Sequence, residues 1–291
     1  MLERFADLRV CRQRWAGHRR PGSTHVVEVA GVPIGAGVPV VIAGPCAVES
    51  LDQTLTIARA VKAAGASLLR GGSHKPRTSP YDFQGLGTEA LEILKEVRRL
   101  TGLGFVTEAM DPRLVEQVAG CADMLQIGSR SMHNVPLLKE AGQAGLPVLL
   151  KRGWSATVHE WLCAAEYIAQ AGNDKVVLCE RGIRTSCSGD YARNVLDLNV
   201  LAPLRTITPL PVLVDPSHAA GTAELVPPLA RAALAAGADG LLVEVTASEK
   251  MRAHAQCDPL QGILPDALGT IVAYAAGAES AGSRGFATRR S

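Results

Sequence analysis

Three side chains of metal-ligand type each stand at the end of a short apolar run. Cys46 follows "VVIAGP", His218 closes "PVLVDPSH", and Glu244 follows "GLLV". Asp258 in "QCDPLQ" offers a further carboxylate. Mixed sulfur, nitrogen and oxygen donors suit Mn, Fe, Co or Zn better than Mg. A cysteine after an apolar run is more often buried packing, so Cys46 becomes a metal ligand only if the fold brings these residues together.

A second set of side chains at comparable positions is cationic. Its members are Arg70, Lys75, Arg77, Arg130, Lys151, Arg181 and Arg184. Converging cations repel one another unless anions bind between them, and guanidinium groups match phosphate geometry. The set therefore favours one or two phosphate groups as ligands.

The elements that would position these residues are eight apolar runs. They lie at 39–44, 67–72, 104–109, 124–128, 147–153, 176–182, 211–218 and 240–245. Continuous rather than alternating apolar runs are typical of parallel strands buried on both faces, and a helix-like segment follows each run. Eight such units predict an α/β fold of the (β/α)₈ TIM-barrel class, in which the C-terminal strand ends meet at one mouth. An open doubly wound sheet is the alternative, although the sequence has no GxGxxG.

The segments before and after the eight apolar runs predict a hairpin and two terminal extensions of the barrel. Residues 24–36 predict a β-hairpin, with Ala30-Gly31 at its turn, that closes the barrel floor. We expect a single catalytic barrel over 24–278, a mobile or oligomer-contacting arm over 1–23, and a disordered tail over 279–291.

Composition excludes several classes of protein. The net charge of the 291 residues is only +2, which argues against a nucleic-acid partner. The longest apolar stretches are too short for a membrane span, and the N-terminus lacks a secretory core. The seven cysteines show no CxxC and indicate reduced thiols, which predicts a cytoplasmic location.

Seven sequence blocks, in this order, resemble the 3-deoxy-D-arabino-heptulosonate 7-phosphate (DAHP) synthases, closest to their short type Iβ subgroup. The blocks are "GPCAVES", "RGGSHKPRTSPYDFQGLG", "QIGSRSM", "LLKRG", "LCERGIRT", "VDPSHAAG" and "LLVEV". The resemblance covers approximately residues 24–275. It implies condensation of phosphoenolpyruvate with erythrose 4-phosphate, the first step of the shikimate pathway to aromatic amino acids.

The resemblance also implies a cofactor, a ligand set and partners. A divalent metal, Mn²⁺ first and Co²⁺, Fe²⁺ or Zn²⁺ as alternatives, would be held by Cys46, His218, Glu244 and Asp258. The chain would form a homo-oligomer, a dimer or tetramer, and chorismate mutase is a candidate protein partner.

Substrate roles follow in the same way. Phosphoenolpyruvate would bind Arg130, Lys151 and Arg181, with Arg70 and Lys75 nearby, and erythrose 4-phosphate would bind Arg77 and Thr78. Glu108 would lie near the water that attacks C2, and Lys75 would act as proton donor.

The chain departs from the family pattern in loops near the expected mouth. His74 stands where the family has an apolar residue, segments 185–193 and 246–257 are longer, and Cys257 replaces a serine. These changes leave room for an enzyme of secondary metabolism with a modified aldose. Two further alternatives are an octulosonate-phosphate synthase that uses arabinose 5-phosphate, and an inactive protein that binds a partner or a phosphosugar. The stretch "KPRTS" favours the four-carbon aldose.

Overall fold

Eight parallel strands form a closed barrel, as the apolar runs predict. The computed structural model describes residues 24–282. The predicted arm over 1–23 and most of the predicted tail over 279–291 lie outside the described residues and stay predictions.

The barrel strands follow one another around the cylinder in chain order, and β10 closes it against β3. Their bounds are β3 (Val40–Gly44), β4 (Leu68–Arg70), β5 (Phe105–Glu108), β6 (Met124–Ile127), β7 (Val148–Lys151), β8 (Val176–Glu180), β9 (Val212–Val214) and β10 (Gly240–Glu244). All eight predicted runs therefore contain a strand, and the open-sheet alternative is wrong.

Helices cover the outer face of the barrel. Their bounds are α1 (Leu51–Ala63), α2 (Thr88–Thr101), α3 (Pro112–Ala119), α4 (Val135–Gln143), α5 (Val158–Gln170), α6 (Leu201–Ile207), α7 (Pro216–Ala220), α8 (Val226–Ala235), α9 (Glu249–Ala253) and α10 (Pro265–Gly282). No helix within residues 24–282 is long and apolar enough to cross a bilayer.

Local sequence signals fix where the helices begin. The Ser50 hydroxyl accepts a hydrogen bond from the Gln53 amide at 3.1 Å and caps α1. Thr157 and Glu160 form a reciprocal capping box at the start of α5. Two prolines stand in the first turn of α8, where no amide donor is needed.

Strand residues alternate between two apolar layers. On β3, Val40 and Ile42 pack inside the barrel, whereas Val41 and Ala43 pack against the helices. The inner layer is here called the floor cluster; it comprises Val27, Val29, Ile34, Val40, Ile42, Leu68, Val106, Met124, Leu149, Val177, Cys179, Leu213 and Leu242. Each fully buried aliphatic side chain contributes about 1.5–3 kcal/mol.

The predicted hairpin closes the barrel floor. Its strands are β1 (Val27–Val29) and β2 (Val32–Ile34), which pair antiparallel. Ala30 (φ 48°) and Gly31 (φ 80°) form the turn, and positive φ at both central residues suits the twist of a tight hairpin. Because three of its side chains belong to the floor cluster, the hairpin is a plug.

Candidate active site

Toward the C-terminal ends of the strands, the next inward-facing residues after the floor cluster are polar. Side chains on a strand alternate, so the residue two positions after an interior residue also points inward. Seven strands place a polar side chain there: Arg70 after Leu68, Glu108 after Val106, Gln126 after Met124, Lys151 after Leu149, Arg181 after Cys179, Asp215 after Leu213, and Glu244 after Leu242. All seven are buried. They form the base of a cavity at the C-terminal strand ends, called the mouth below.

The mouth gathers most of the residues predicted from the sequence. Its lining includes Arg70, Lys75, Arg77, Thr78, Glu108, Arg130, Lys151, Arg181, His218 and Asp258. Cys46 and Glu244 adjoin it through Arg70, whose guanidinium donates to the Cys46 carbonyl at 2.9 Å and to Glu244 Oε1 at 2.7 Å. The barrel thus unites residues that are as many as 212 positions apart.

The predicted metal ligands form two overlapping groups that share Cys46. Ligand atoms of Cys46, His218 and Glu244 lie within 4.8 Å of one another, and so do those of Cys46, Cys257 and Asp258. Thiol, imidazole and carboxylate donors at such separations fit a divalent transition metal. Asp258 adopts the left-handed backbone region (φ 46°), which Asp tolerates better than most residues.

A carboxylate behind the imidazole fixes the orientation of His218. Asp215 Oδ2 lies 2.7 Å from His218 Nδ1 and also accepts a hydrogen bond from Lys151 Nζ at 2.6 Å. The other ring nitrogen, Nε2, lies 3.2 Å from Glu244 Oε1. Such a carboxylate commonly orients a metal-binding histidine. Burial lowers the pKa of His218 to about 4, although Asp215 and Glu244 oppose this, so the imidazole is neutral at pH 7.

The opposite side of the mouth is cationic and centres on Trp154. The guanidinium groups of Arg184, Arg130 and Arg181 lie 4.6, 4.8 and 5.8 Å from its ring centroid. Burial lowers the pKa of Arg181, and burial together with Arg193 lowers that of Arg130. A bound anion would relieve this repulsion.

Several buried polar atoms in the mouth lack a hydrogen-bond partner. Arg181 Nη1, Arg70 Nε and Glu108 Oε1 are among them. Buried polar groups are normally paired, so unpaired ones that line a cavity mark where a ligand would bind. Glu108 Oε2 accepts from Gln126 at 2.9 Å, and a Cβ at position 128 would lie 2.1 Å from Glu108 Oε1, so a larger residue there would displace the Glu108 carboxylate.

The loop after β4 brings Lys75, Arg77 and Thr78 over the mouth. Lys75 Nζ lies 3.0 Å from Cys46 Sγ, and Arg77 Nη1 lies 2.9 Å from Cys257 Sγ. The Thr78 hydroxyl accepts from Arg130 Nη2 at 3.2 Å. The loop therefore spans from the thiol group to the cationic side.

The two altered loops meet at the same place. Arg193, which closes the 185–193 segment, forms an ion pair with Asp258 Oδ1 at 3.3 Å. Its Nη1 also lies 3.3 Å from Gln261 Oε1, and Gln261 donates to Glu244 at 2.5 Å. In the 246–257 segment, Cys257 Sγ lies 3.1 Å from Cys46 Sγ, so each segment contacts a predicted metal ligand.

Sequence reasoning missed several polar or aromatic residues of the site, among them Gln126, Trp154, Arg193 and Asp215. Gln126 and Asp215 occupy inward positions, which strand alternation could have revealed. Arg152 and Glu180 also end apolar runs, yet they face outward, where Arg152 pairs with Glu180 at 3.0 Å and Asp197 at 2.8 Å.

Comparison with known proteins identifies the family. The profile of the DAHP synthetase I family matches residues 23–280. The chain belongs to this family. It is 48% identical over 220 residues to a phospho-2-dehydro-3-deoxyheptonate aldolase from Thermotoga maritima. The match covers 76% of this chain but only 64% of that relative.

Other relatives include octulosonate enzymes. A 2-dehydro-3-deoxyphosphooctonate aldolase from Syntrophotalea carbinolica is 37% identical over 238 residues, covering 75% of this chain and 84% of the relative. Among solved structures, the Thermotoga maritima DAHP synthase superposes with a TM-score of 0.83 at 42% identity. That match covers 89% of this chain and 74% of the other.

Proposed function

We propose that the chain condenses phosphoenolpyruvate with erythrose 4-phosphate to give DAHP and inorganic phosphate, the first step of the shikimate pathway. One observation carries the proposal: Arg70, Glu108 and Arg181, each with an unpaired buried polar atom, line the same cavity as His218 and Asp258 of the predicted metal site. Anion binding and metal binding are both required by this reaction, and the mouth offers groups for each.

The phosphoenolpyruvate site is proposed on the cationic side. Arg130, Lys151 and Arg181 would hold its phosphate and carboxylate, with Arg70 and Lys75 close by. Fixed guanidinium and ammonium groups would stabilise the charges of the phosphate as it leaves. Lys151 is held by Asp215, which orients its ammonium group.

Bond making would run between the two substrates. Carbon 3 of phosphoenolpyruvate attacks the aldehyde carbon of the aldose, positive charge develops at C2, and water adds there beside Glu108. The resulting hemiketal phosphate collapses and releases phosphate. Lys75 would give a proton to the alkoxide that forms from the aldehyde oxygen.

The metal site is proposed at Cys46, His218, Glu244 and Asp258. Mn²⁺ is the first choice, and Co²⁺, Fe²⁺ and Zn²⁺ are alternatives that the donor set also accepts. A metal bound there would supply Lewis-acid polarisation of the aldehyde oxygen.

Aldose choice separates this proposal from the octulosonate alternative. Arg77 and Thr78 lie in the loop over the mouth, and Thr78 contacts the predicted phosphoenolpyruvate residue Arg130. They would bind the distal phosphate of a four-carbon aldose. An enzyme with a modified aldose stays the alternative, because Arg193 of the 185–193 segment lines the mouth and Cys257 of the 246–257 segment contacts Arg77.

The decisive experiment measures phosphate release and product mass with each aldose, with and without a chelator. The proposal expects a seven-carbon product from erythrose 4-phosphate and little turnover of arabinose 5-phosphate. Turnover of arabinose 5-phosphate at a comparable kcat/KM would favour the octulosonate alternative, and no turnover of either aldose would favour a binding protein.

The predicted assembly follows from the family resemblance alone. A homodimer or homotetramer, and a complex with chorismate mutase, are proposals that light scattering of the purified chain, alone and mixed with that enzyme, would test.

A further inference from the structure

Cys257 lies against the predicted metal ligands and has no assigned role. Its Sγ is 3.1 Å from Cys46 Sγ and 3.9 Å from Asp258 Oδ2. Both sulfur atoms belong to buried residues. The family resemblance implies a serine at this position.

We propose that Cys257 is a second sulfur ligand of the metal ion, beside Cys46. The inference rests on the metal site of the proposed function and extends its ligand set. Two thiolates that share an ion, with bonds of about 2.3 Å, lie about 3 to 4 Å apart. The Cys46 and Cys257 sulfurs already have this spacing, and with Asp258 they form a group of three donors.

Neighbouring cations distinguish this pair from the packing cysteines. Lys75 Nζ lies 3.0 Å from Cys46 Sγ, and Arg77 Nη1 lies 2.9 Å from Cys257 Sγ. By contrast, Cys121 Sγ donates to the backbone carbonyl of Gln117 at 3.0 Å, and Cys179 belongs to the apolar floor cluster. Cationic donors compensate the charge that a thiolate carries when it binds a metal.

A second sulfur would change which metal the site prefers. Thiolates favour softer ions such as Zn²⁺, whereas Mn²⁺ prefers oxygen donors. The replacement of serine by Cys257 should therefore shift selectivity away from Mn²⁺. A neutral Cys257 that only packs against Phe83 and Ala47 would have no such effect.

The direct test counts sulfur atoms around the metal. The full-length chain is prepared metal-free under reducing conditions, loaded with Co²⁺ or Zn²⁺, and measured by X-ray absorption at the metal edge. We expect two sulfur donors in the wild-type protein and one in Cys257→Ser. Cys163→Ser, which makes the same change on helix α5, should retain two.

A competition titration provides the second readout. Cys257→Ser should weaken Zn²⁺ binding by about tenfold or more while changing Mn²⁺ affinity by less than about threefold. Cys163→Ser should change neither affinity.

The outcomes separate this inference from the proposed function. One sulfur donor in the wild-type protein, or an unchanged count in Cys257→Ser, overturns the inference and leaves the metal site standing. If the wild-type chain binds neither metal, both fail. Should Cys257→Ser not fold, the sulfur count of the wild-type protein decides alone.

Discussion

The floor and the mouth of the barrel are built from the same strands, and successive inward-facing residues of one strand belong first to the floor and then to the mouth. On β7, Leu149 belongs to the apolar floor cluster and Lys151 lines the mouth. On β10, Leu242 and Glu244 repeat the pattern. The two regions differ in how their buried groups are satisfied. The floor relies on packing, whereas the mouth holds buried charges.

Buried charges are costly unless they are paired, and the mouth satisfies them unevenly. Arg70 pairs with Glu244 at 2.7 Å, and Lys151 pairs with Asp215 at 2.6 Å. Arg181 Nη1 and Glu108 Oε1 have no partner. The floor therefore stabilises the fold, whereas the mouth retains unsatisfied polar atoms that a bound ligand would pair.

The largest expected effect is the loss of catalytic activity when metal is removed from the mouth. Removal of divalent metal with EDTA should lower the rate of phosphate release more than about a thousandfold, because Lewis-acid stabilisation is worth several kcal/mol. Added Mn²⁺ should restore it. Steady-state assays of treated and reconstituted protein provide the measurement, and full activity of metal-free protein would remove the metal from the proposal.

Truncation of a side chain in the floor should lower the stability of the fold and leave catalysis unchanged. Ile34 is fully buried in the hairpin plug, so Ile34→Ala should lower the free energy of unfolding by about 2–5 kcal/mol. Below the melting transition, KM and kcat should stay close to wild type. Denaturant unfolding and kinetics together measure this separation.

Val38→Ala is the control for the floor variant. Val38 is 48% exposed, so the loss should stay within about 0.5 kcal/mol. Equal losses in the two variants would mean that the hairpin does not plug the floor.

Arg77→Ala tests the rim of the mouth. The change should remove a charge-assisted contact to the aldose phosphate worth about 1.5–3 kcal/mol. The KM for erythrose 4-phosphate should rise about tenfold to a hundredfold, far more than that for phosphoenolpyruvate. Steady-state kinetics with each substrate varied in turn measure the difference.

Arg113→Ala controls for the loss of an exposed arginine, since the Arg113 side chain is 88% exposed and pairs only locally with Asp111. An effect of Arg77→Ala mainly on phosphoenolpyruvate would show that Arg77 serves the other substrate. An effect mainly on metal affinity would show that Arg77 acts through its contact with Cys257 and not by binding the aldose phosphate.

The sequence predicted the barrel well because its signals are local. Each apolar run is long enough to define a buried strand, and the Ser50 cap of α1 is a contact within one turn. Ala30-Gly31 likewise defined the hairpin turn. Nothing in these predictions required knowledge of distant contacts.

The site was harder to predict because it depends on which way each strand residue faces. Lys151 and Arg152 are adjacent in sequence, yet Lys151 lines the mouth and Arg152 pairs with Glu180 behind the barrel wall. Asp215 was passed over for the same reason. Trp154 and Arg193 lie on loops whose course the strand pattern does not determine, so their contacts emerge only from the folded chain.

The smallest expected effect is a pH dependence of the free energy of unfolding, which arises from His218 in the mouth. His218 has a pKa of about 4 in the folded protein because it is buried, whereas an imidazole in an unfolded chain has a pKa of about 6.5. Between these values the unfolded chain binds the proton more readily, so the stability present above pH 6.5 is lost as the pH falls toward 4. For metal-free protein, we expect a loss of about 2 kcal/mol between pH 7 and pH 5, measured by denaturant unfolding. His218→Gln should remove most of this dependence, whereas His159→Gln, at an exposed position on α5, should retain it. A full pH dependence in His218→Gln would assign the effect to a group other than His218.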